Sequence, residues 1–287
     1  MILIADSGTT KTEWCILTPE GVSETVITSG INPFYQDASN ISAILKNEFT
    51  YGVKKFDSIF FYGAGCTNKE KEDIVRTALL EVFTSDHMLI GSDLLAAARS
   101  LCQDRPGIAC ILGTGSNSCL YNGSIIAENV SPLGFILGDE GSGAVMGKQL
   151  ISDVLKKQIS PDLIKDFFET FPTTATEILE NVYRKPFPSR YLAGFTRFLS
   201  KNIHHPEIEQ IVINSLRKFA ERNLLQYTSI ESTPVHFTGS IAFFFKLQLS
   251  KVLAEQNLIL GNVVHTPMGG LIAYHQNSGG LQTIKIG

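Results

Sequence analysis

The sequence predicts an α/β fold with mixed sheets, built twice in one chain. Three observations carry this. Two polar loops, "DSGTTKT" (residues 6–12) and "GTGSNS" (113–118), each lie between apolar, strand-like runs. Each loop opens a half in which strand patterns then alternate with helical ones. The length of 287 residues suits two domains of about 100–150 residues each.

Taken in order, Ile2–Ala5 is aliphatic and strand-like, and Glu13–Leu17 resumes as a strand after the loop. "TPEG" (18–21) is a turn, and "VSETVIT" (22–28) alternates as a third strand. Ile41, Ile44, Leu45 and Phe49 have helical spacing. "SIFFY" (58–62) is a buried strand ending at Gly63. Asn68–Phe83 is an amphipathic helix that Asn68 can cap. "HMLIGSDLLAAARSL" (87–101) is a strand, a Gly91–Ser92 loop and a helix. Pro106–Gly107 breaks that helix and marks the boundary, giving domains 1–107 and 108–287. The second half turns at Asn122–Gly123, is helical from Ser142 to Tyr227, and closes with strand, Gly turn and helix (234–253), a strand (262–267) and a last helix (268–276). The final residues are expected to pack back on the first domain. Laying Gly8 on Gly115 puts Asp6 on Gly113 and aligns both flanks as strands.

Composition narrows the function. A net charge of −4 argues against a nucleic-acid or acidic-membrane partner. No export signal is read at the start, because Asp6 interrupts the apolar stretch, and no run reaches about 18 apolar residues. Cysteines 15, 66, 102, 110 and 119 form no C-x-x-C pair and read as buried thiols in a reducing cytoplasm. The sequons at Asn40 and Asn122 then read as turn chemistry.

A Gly/Ser/Thr loop between paired strands presents backbone N–H groups and hydroxyls, which suits phosphate oxygens. Asp6 beside such a loop would repel phosphate unless a divalent cation lay between. Mg²⁺ prefers oxygen ligands and bridges carboxylate to phosphate. Lys11 can neutralise charge or face solvent. A third Gly turn, Thr238–Gly239–Ser240, lets backbone approach a ligand closely. Asp93, after a strand and before an alanine-rich helix, can serve as a base, as a helix N-cap, or as both.

The set "DSGTTKT", "GTGSNS", "GDEGSG" (138–143) and "TGSIAFFF" (238–245), in this order, resembles the actin-like ATPase superfamily. Within it the chain is most similar to the N-acetylglucosamine kinases and BadF-type ATPases, over essentially its whole length. The resemblance implies two ribonuclease-H-like domains with mixed five-stranded sheets, a helical insertion in the second, and an interdomain cleft where ATP and sugar meet. It places Gly8, Thr10 and Lys11 in the first phosphate loop, Asp6 toward Mg²⁺, Thr114 at ATP phosphate, and Gly239 and Ser240 at adenosine. On the sugar side it places Asn32, Asp93, Ser116, Asn117 and Asp139, with Pro132–Gly134 in the same wall. Asp93 is then the base for the attacking hydroxyl, and Asp139 or Glu140 a site group or a cap. The implied activity is ATP-dependent phosphorylation of an amino sugar, N-acetylglucosamine, at its 6-hydroxyl. Domain closure and a homodimer are further implications.

Other readings have less support. The cysteines lack the pairing of the iron–sulfur activators, and the zinc motif of another sugar-kinase family is absent. Histidines 87, 204, 205, 236, 265 and 275 show no ligand spacing. "FFYGAGCTN" (60–68) has two glycines of a dinucleotide fingerprint but Asn68 in place of the third. A sugar-binding ATPase with a regulatory or activator role is the remaining alternative, and it would tolerate loss of Asp93.

Overall fold

The computed structural model describes residues 1–8, 10–228 and 230–277. The described residues form two compact units, one of residues 1–105, 123–125 and 267–277, the other of 106–122 and 126–266.

Unit 1 is built on strands β1 (Ile2–Ser7), β2 (Lys11–Thr18), β3 (Gly21–Ser29), β4 (Lys55–Gly63) and β5 (Thr84–Ser92), in the order β3-β2-β1-β4-β5. The hairpins β1–β2 and β2–β3 are antiparallel; β4 and β5 join in parallel. Helices α1 (Ala38–Glu48) and α2 (Lys69–Leu80) provide the crossovers to β4 and β5, and α3 (Asp93–Cys102) follows β5. Period-two alternation decides which residues meet which helices. Leu3, Ala5, Trp14, Ile16, Ile59 and Phe61 pack against Ile41 and Leu45 of α1 and Val75 and Leu79 of α2. Trp14 keeps its indole N–H satisfied by donating to Thr28 Oγ1 at 2.9 Å. Asn68 caps α2, as its sequence predicts, by accepting from Lys71 N at 3.0 Å.

Unit 2 repeats the plan. Its strands β6 (Pro106–Leu112), β7 (Ser116–Asn122), β8 (Ile126–Val130), β9 (Val235–Thr238) and β10 (Leu260–Val264) run in the order β8-β7-β6-β9-β10, with the same parallel and antiparallel pairings. Its helices are α4 (Gly134–Leu137), α5 (Gly143–Leu155), α6 (Pro161–Thr170), α7 (Ala175–Tyr183), α8 (Pro188–Ala193), α9 (Thr196–Lys201), α10 (Pro206–Arg222), α11 (Ser240–Phe244) and α12 (Lys246–Glu255). Proline opens α6, α8 and α10, where its missing N–H costs nothing. Thr174 and Glu177 form a capping box on α7, and Ser142 caps α5. Met146, Leu150, Phe167, Phe198, Val212 and Phe219 supply the core under β6. The apolar run "GFIL" is not core: Ile136 and Leu137 of α4 are exposed.

The repeated topology corrects the alignment of the two loops. The last ladder pair before the first loop is Ser7 with Thr12, and before the second is Leu112 with Ser116. Gly8 therefore corresponds to Gly113 and Asp6 to Ile111, not Gly8 to Gly115. The first loop is one residue longer, so a gapless alignment slides by two to recover matching glycines.

The last helix, α13 (Met268–Asn277), belongs to unit 1. Met268 and Leu271 pack with Ile4, Cys15, Leu17 and Tyr62 on the sheet face opposite α1 and α2, together with Ala96 of α3. Gly270 lies so close to Ser100 that any side chain would overlap it, and Gln103 donates to the Gly270 carbonyl at 3.0 Å. Buried His275 meets Tyr62 Oη at 2.9 Å, and Arg99 donates to the same oxygen at 2.7 Å. Burial, then the Arg99 charge, push His275 down to about 3, so it stays neutral. The expectation for the final residues lies, beyond Asn277, outside the described residues. The five cysteines are buried. Among the described residues no helix is long and apolar enough to cross a membrane.

Candidate active site

In unit 1 three strand ends lie in one row: Ser7 pairs with Gly63, and Gly63 with Ser92. Parallel strands open their carboxyl ends on one edge, so the loops that leave them gather there. This brings Asp6, the Gly8 loop, the Gly63–Cys66 loop and Asp93 to a common edge. Gly8, Thr10 and Lys11 are exposed, and Thr9 lies outside the described residues. Gly8 N donates to Lys11 O at 3.0 Å, and a Cβ on Gly8 would meet only that oxygen, at 3.8 Å. Ser7 Oγ contacts Thr12 Oγ1 at 2.6 Å, donates to Ile31 O at 2.9 Å and accepts from Ile31 N at 3.0 Å. That hydroxyl ties the base of the loop to the segment carrying Asn32. The Asn32 side chain is buried, and its Oδ1 accepts from Phe34 N at 2.9 Å.

Asp93 is the first residue of α3 and not its cap. Ser92 Oγ accepts from Leu95 N at 3.2 Å, while Asp93 Oδ1 takes Leu94 N at 2.9 Å. Burial raises Asp93 above the ordinary carboxylate range, against the pull of the Leu94 and Asp93 amides. Asp6 is raised from 3.8 to about 7, first by burial, then by the charges of Asp93 and Glu13, with Lys11 opposing. Glu13 was not singled out in the sequence. Its signal is the ladder, where it stands opposite Asp6.

Among the described residues no group of three or more His, Cys, Asp and Glu could hold a metal ion alone. Mg²⁺ fits this donor set nonetheless, because it takes one or two carboxylates and completes its shell with water and phosphate oxygens. A carboxylate whose proton affinity is raised by burial and then by negative neighbours is one that a dication would ionise. The raised value also sets a pH dependence. Between about pH 4 and 7, folded Asp6 holds a proton that the unfolded chain has lost, so its contribution to stability falls as pH rises through that window. Asp6→Asn removes this fall. Without divalent cations, the variant is expected to melt at the same temperature as the unaltered chain near pH 4 and several degrees higher at pH 8, at about 2–4 °C per kcal/mol. Equal melting temperatures at both pH values would contradict the burial of a charge at Asp6.

In unit 2 the second loop is held by α5. Gly143 N donates to Gly113 O at 2.8 Å, and Ala144 N to Thr114 O at 3.0 Å. The loop carbonyls are thus drawn toward the helix, away from any anion on the other side. Thr114 is exposed, and a Cβ on Gly113 would meet nothing within 4 Å. The turn between β9 and α11 lies against this loop. Gly239 has φ +112°, and a Cβ there would overlap Leu112 O and come within 2.8 Å of Leu112 C and 3.3 Å of Gly113 N. Thr238 Oγ1 is buried without a hydrogen-bond partner, and Ser240 is the exposed first residue of α11. An open glycine cradle beside an orphaned hydroxyl fits a phosphate-bearing ligand.

Asp139 joins the same loop. Its backbone is left-handed (φ +55°), and its Oδ1 accepts from Ser116 N at 3.3 Å. The carboxylate packs on Gly115, where a Cβ would meet Oδ2 at 3.1 Å. Asp139 is raised to about 6, chiefly by burial. It does not cap α5, a role that Ser142 fills. Glu140 turns to Arg222 of α10 at 2.5 Å, so of the two acids only Asp139 reaches the loop. Asp139 N donates to Pro132 O at 2.8 Å, which fixes the segment leading to exposed Gly134. Asn117 Oδ1 accepts from Asn129 Nδ2 at 3.0 Å. Asn129 on β8 was not foreseen, because the pairing of β7 with β8 is what brings it there.

No protein-family model matches the sequence, and no curated protein matches it. Solved structures do. A provisionally assigned N-acetylglucosamine kinase of Porphyromonas gingivalis is 46% identical, with 97% of this chain and 100% of that one covered and a TM-score of 0.94. A provisionally assigned N-acetylglucosamine kinase of Chromobacterium violaceum is 15% identical, with 95% and 98% covered and a TM-score of 0.74. A ROK-family glucokinase of Streptomyces griseus, solved with glucose and AMPPNP, is 12% identical over 96% and 98% at a TM-score of 0.53. The two distant likenesses are of fold alone. The Porphyromonas relative matches over the full length, and with the duplicated five-stranded topology it shows that the chain belongs to the N-acetylglucosamine kinase and BadF-type ATPase family of actin-like sugar kinases.

Proposed function

We propose that this protein is a Mg·ATP-dependent sugar kinase whose acceptor is an amino sugar, N-acetylglucosamine, phosphorylated at the 6-hydroxyl. The observation that carries the reading is the placing of two carboxylates at one edge of the unit 1 sheet. Asp6 and Asp93 stand where β1 and β5 end, beside the exposed Gly8 loop, and the charge of Asp93 adds to the rise at Asp6. Phosphoryl transfer asks for two separate services from acids: one directs the metal, the other accepts the proton of the attacking hydroxyl.

Asp6 leaves its strand next to Gly8, Thr10 and Lys11, which makes it the metal-directing group; Mg²⁺ would supply charge neutralisation between this carboxylate and the phosphates. Lys11 already opposes the negative charge at Asp6. Asp93 is held at the start of α3 by Leu94 N, and its raised affinity for protons suits a base. Asn32 provides a short amide for a sugar hydroxyl. In unit 2, Thr114 serves phosphate, Gly239 and Ser240 serve the nucleoside, and Ser116, Asn117 and Asp139 with Gly134 serve the sugar. Support for the acceptor comes from the name of the Porphyromonas relative.

The test is an ADP-release assay over N-acetylglucosamine, glucosamine, N-acetylmuramic acid, glucose and no sugar, with and without Mg²⁺. Release that needs both Mg²⁺ and an amino sugar is the expected result. ADP release at one rate in every sample, sugar or none, would replace this reading with that of a regulatory ATPase.

A further inference from the structure

The loop between β4 and α2, "GAGC" (63–66), has no part in the roles above, yet it packs against Asn32 and is tied to the strand end that follows Asp6. Ala64 N donates to Ser7 O at 3.0 Å, joining it to the strand end that follows Asp6. Cys66 is buried, and its thiol is pushed up to about 12 by burial and then by the charges of Asp93 and Glu72. The thiol therefore stays neutral.

Gly65 is the critical member. Its φ is +86°, and the Asn32 amide rests directly on its Cα. A Cβ there would overlap Asn32 Oδ1, come within 3.0 Å of Asn32 Cγ, and touch Pro33 Cδ at 3.4 Å. The Asn32 oxygen accepts from Phe34 N and faces Gly65, which leaves Nδ2 as the freer group to meet a ligand. Any side chain at position 65 must lift this amide off the loop and break the Phe34 contact that orients it.

We propose that Gly65 is a positioning residue for sugar binding, acting through Asn32: the bare glycine backbone is the floor that aims the Asn32 amide nitrogen at an oxygen of the sugar. This rests on the kinase reading for the place of Asn32. It adds that the sugar acts as acceptor toward Asn32, and that sugar affinity depends on a loop that makes no sugar contact itself.

The test is a double-mutant cycle read by calorimetric titration with N-acetylglucosamine and, separately, with Mg·AMPPNP. Gly65→Ala is expected to weaken N-acetylglucosamine binding by about tenfold, the loss of one oriented hydrogen bond, with Mg·AMPPNP affinity within about twofold. In an Asn32→Ala background, where no amide stands over position 65, the same change is expected to alter sugar affinity by less than about twofold. The strain of a positive φ is present in both backgrounds and cancels in the comparison. Equal losses of sugar affinity in the two backgrounds, or equal weakening of sugar and nucleotide, would overturn the proposal and leave the kinase reading standing. Failure of the unaltered protein to bind the sugar would overturn both.

Discussion

Asp93→Asn is expected to lower the rate of phosphate transfer by about 10²–10⁴, the usual range for a positioned general base, while sugar and nucleotide bind nearly as before. The substitution is well isolated. Asparagine keeps an oxygen that can accept from Leu94 N, and Ser92, not Asp93, caps the helix. The variant should fold, and above about pH 4 it should melt somewhat higher than the unaltered chain, because a carboxylate raised by burial is removed. The pH profile gives a second readout. Burial raises Asp93, so activity of the unaltered enzyme falls on the acid side as the base takes a proton at a pH above the ordinary carboxylate value. The part of that limb owed to Asp93 should disappear in the variant, leaving the part owed to Asp6. A variant with full turnover would show that the acceptor hydroxyl gives its proton elsewhere, and the regulatory ATPase reading would then gain ground.

The second large effect is expected at Gly239. Alanine there must hold φ near +112° and place a Cβ against the Leu112 carbonyl, so both strain and backbone overlap oppose it. Backbone cannot yield as a flexible side chain can. The turn between β9 and α11 has to move off the second loop, disturbing the Gly239 N bond to Val264 O at 3.2 Å. A loss on the order of 2–3 kcal/mol, and hence a melting temperature lower by several degrees, is expected. The more specific consequence concerns nucleotide. Mg·AMPPNP should raise the melting temperature of the unaltered chain markedly and that of Gly239→Ala much less. An equal ligand-induced rise in both would remove this turn from the nucleotide site.

Much of this arrangement was legible in the sequence because it is written locally. Strand alternation on β1, β2 and β4 separates the two faces of the first sheet, and the Asn68 cap and the Gly-Ser-Thr loops are short-range signals. Asp6 and Asp93 could be named because each stands where an apolar strand gives way to polar residues. What sequence could not give depends on long-range pairing. Glu13 acquires meaning only across the β1–β2 ladder, and Asn129 only across β7–β8. The choice between Asp139 and Glu140 was decided by the left-handed backbone at Asp139 and by Arg222, 82 residues from Glu140. Ser92 took the cap that Asp93 had been offered, since either residue type suits it and one residue of register decides. The loop alignment slipped by two positions for a related reason: Gly113 and Gly115 are equally good partners for Gly8 until the ladder is seen. Gly65 was read as part of a Gly-rich strand end facing the cleft, with an incomplete dinucleotide fingerprint as the lesser reading, and its neighbour in space, Asn32, is 33 positions away.

The central claim is that the chain transfers a phosphoryl group to the 6-hydroxyl of an amino sugar. A ¹H–³¹P correlation spectrum of the products formed from N-acetylglucosamine and Mg·ATP tests it most directly. The account predicts a phosphate monoester whose phosphorus couples to the two protons on carbon 6, appearing in step with ADP. Inorganic phosphate in place of that ester, or coupling to the proton on carbon 1, would contradict it.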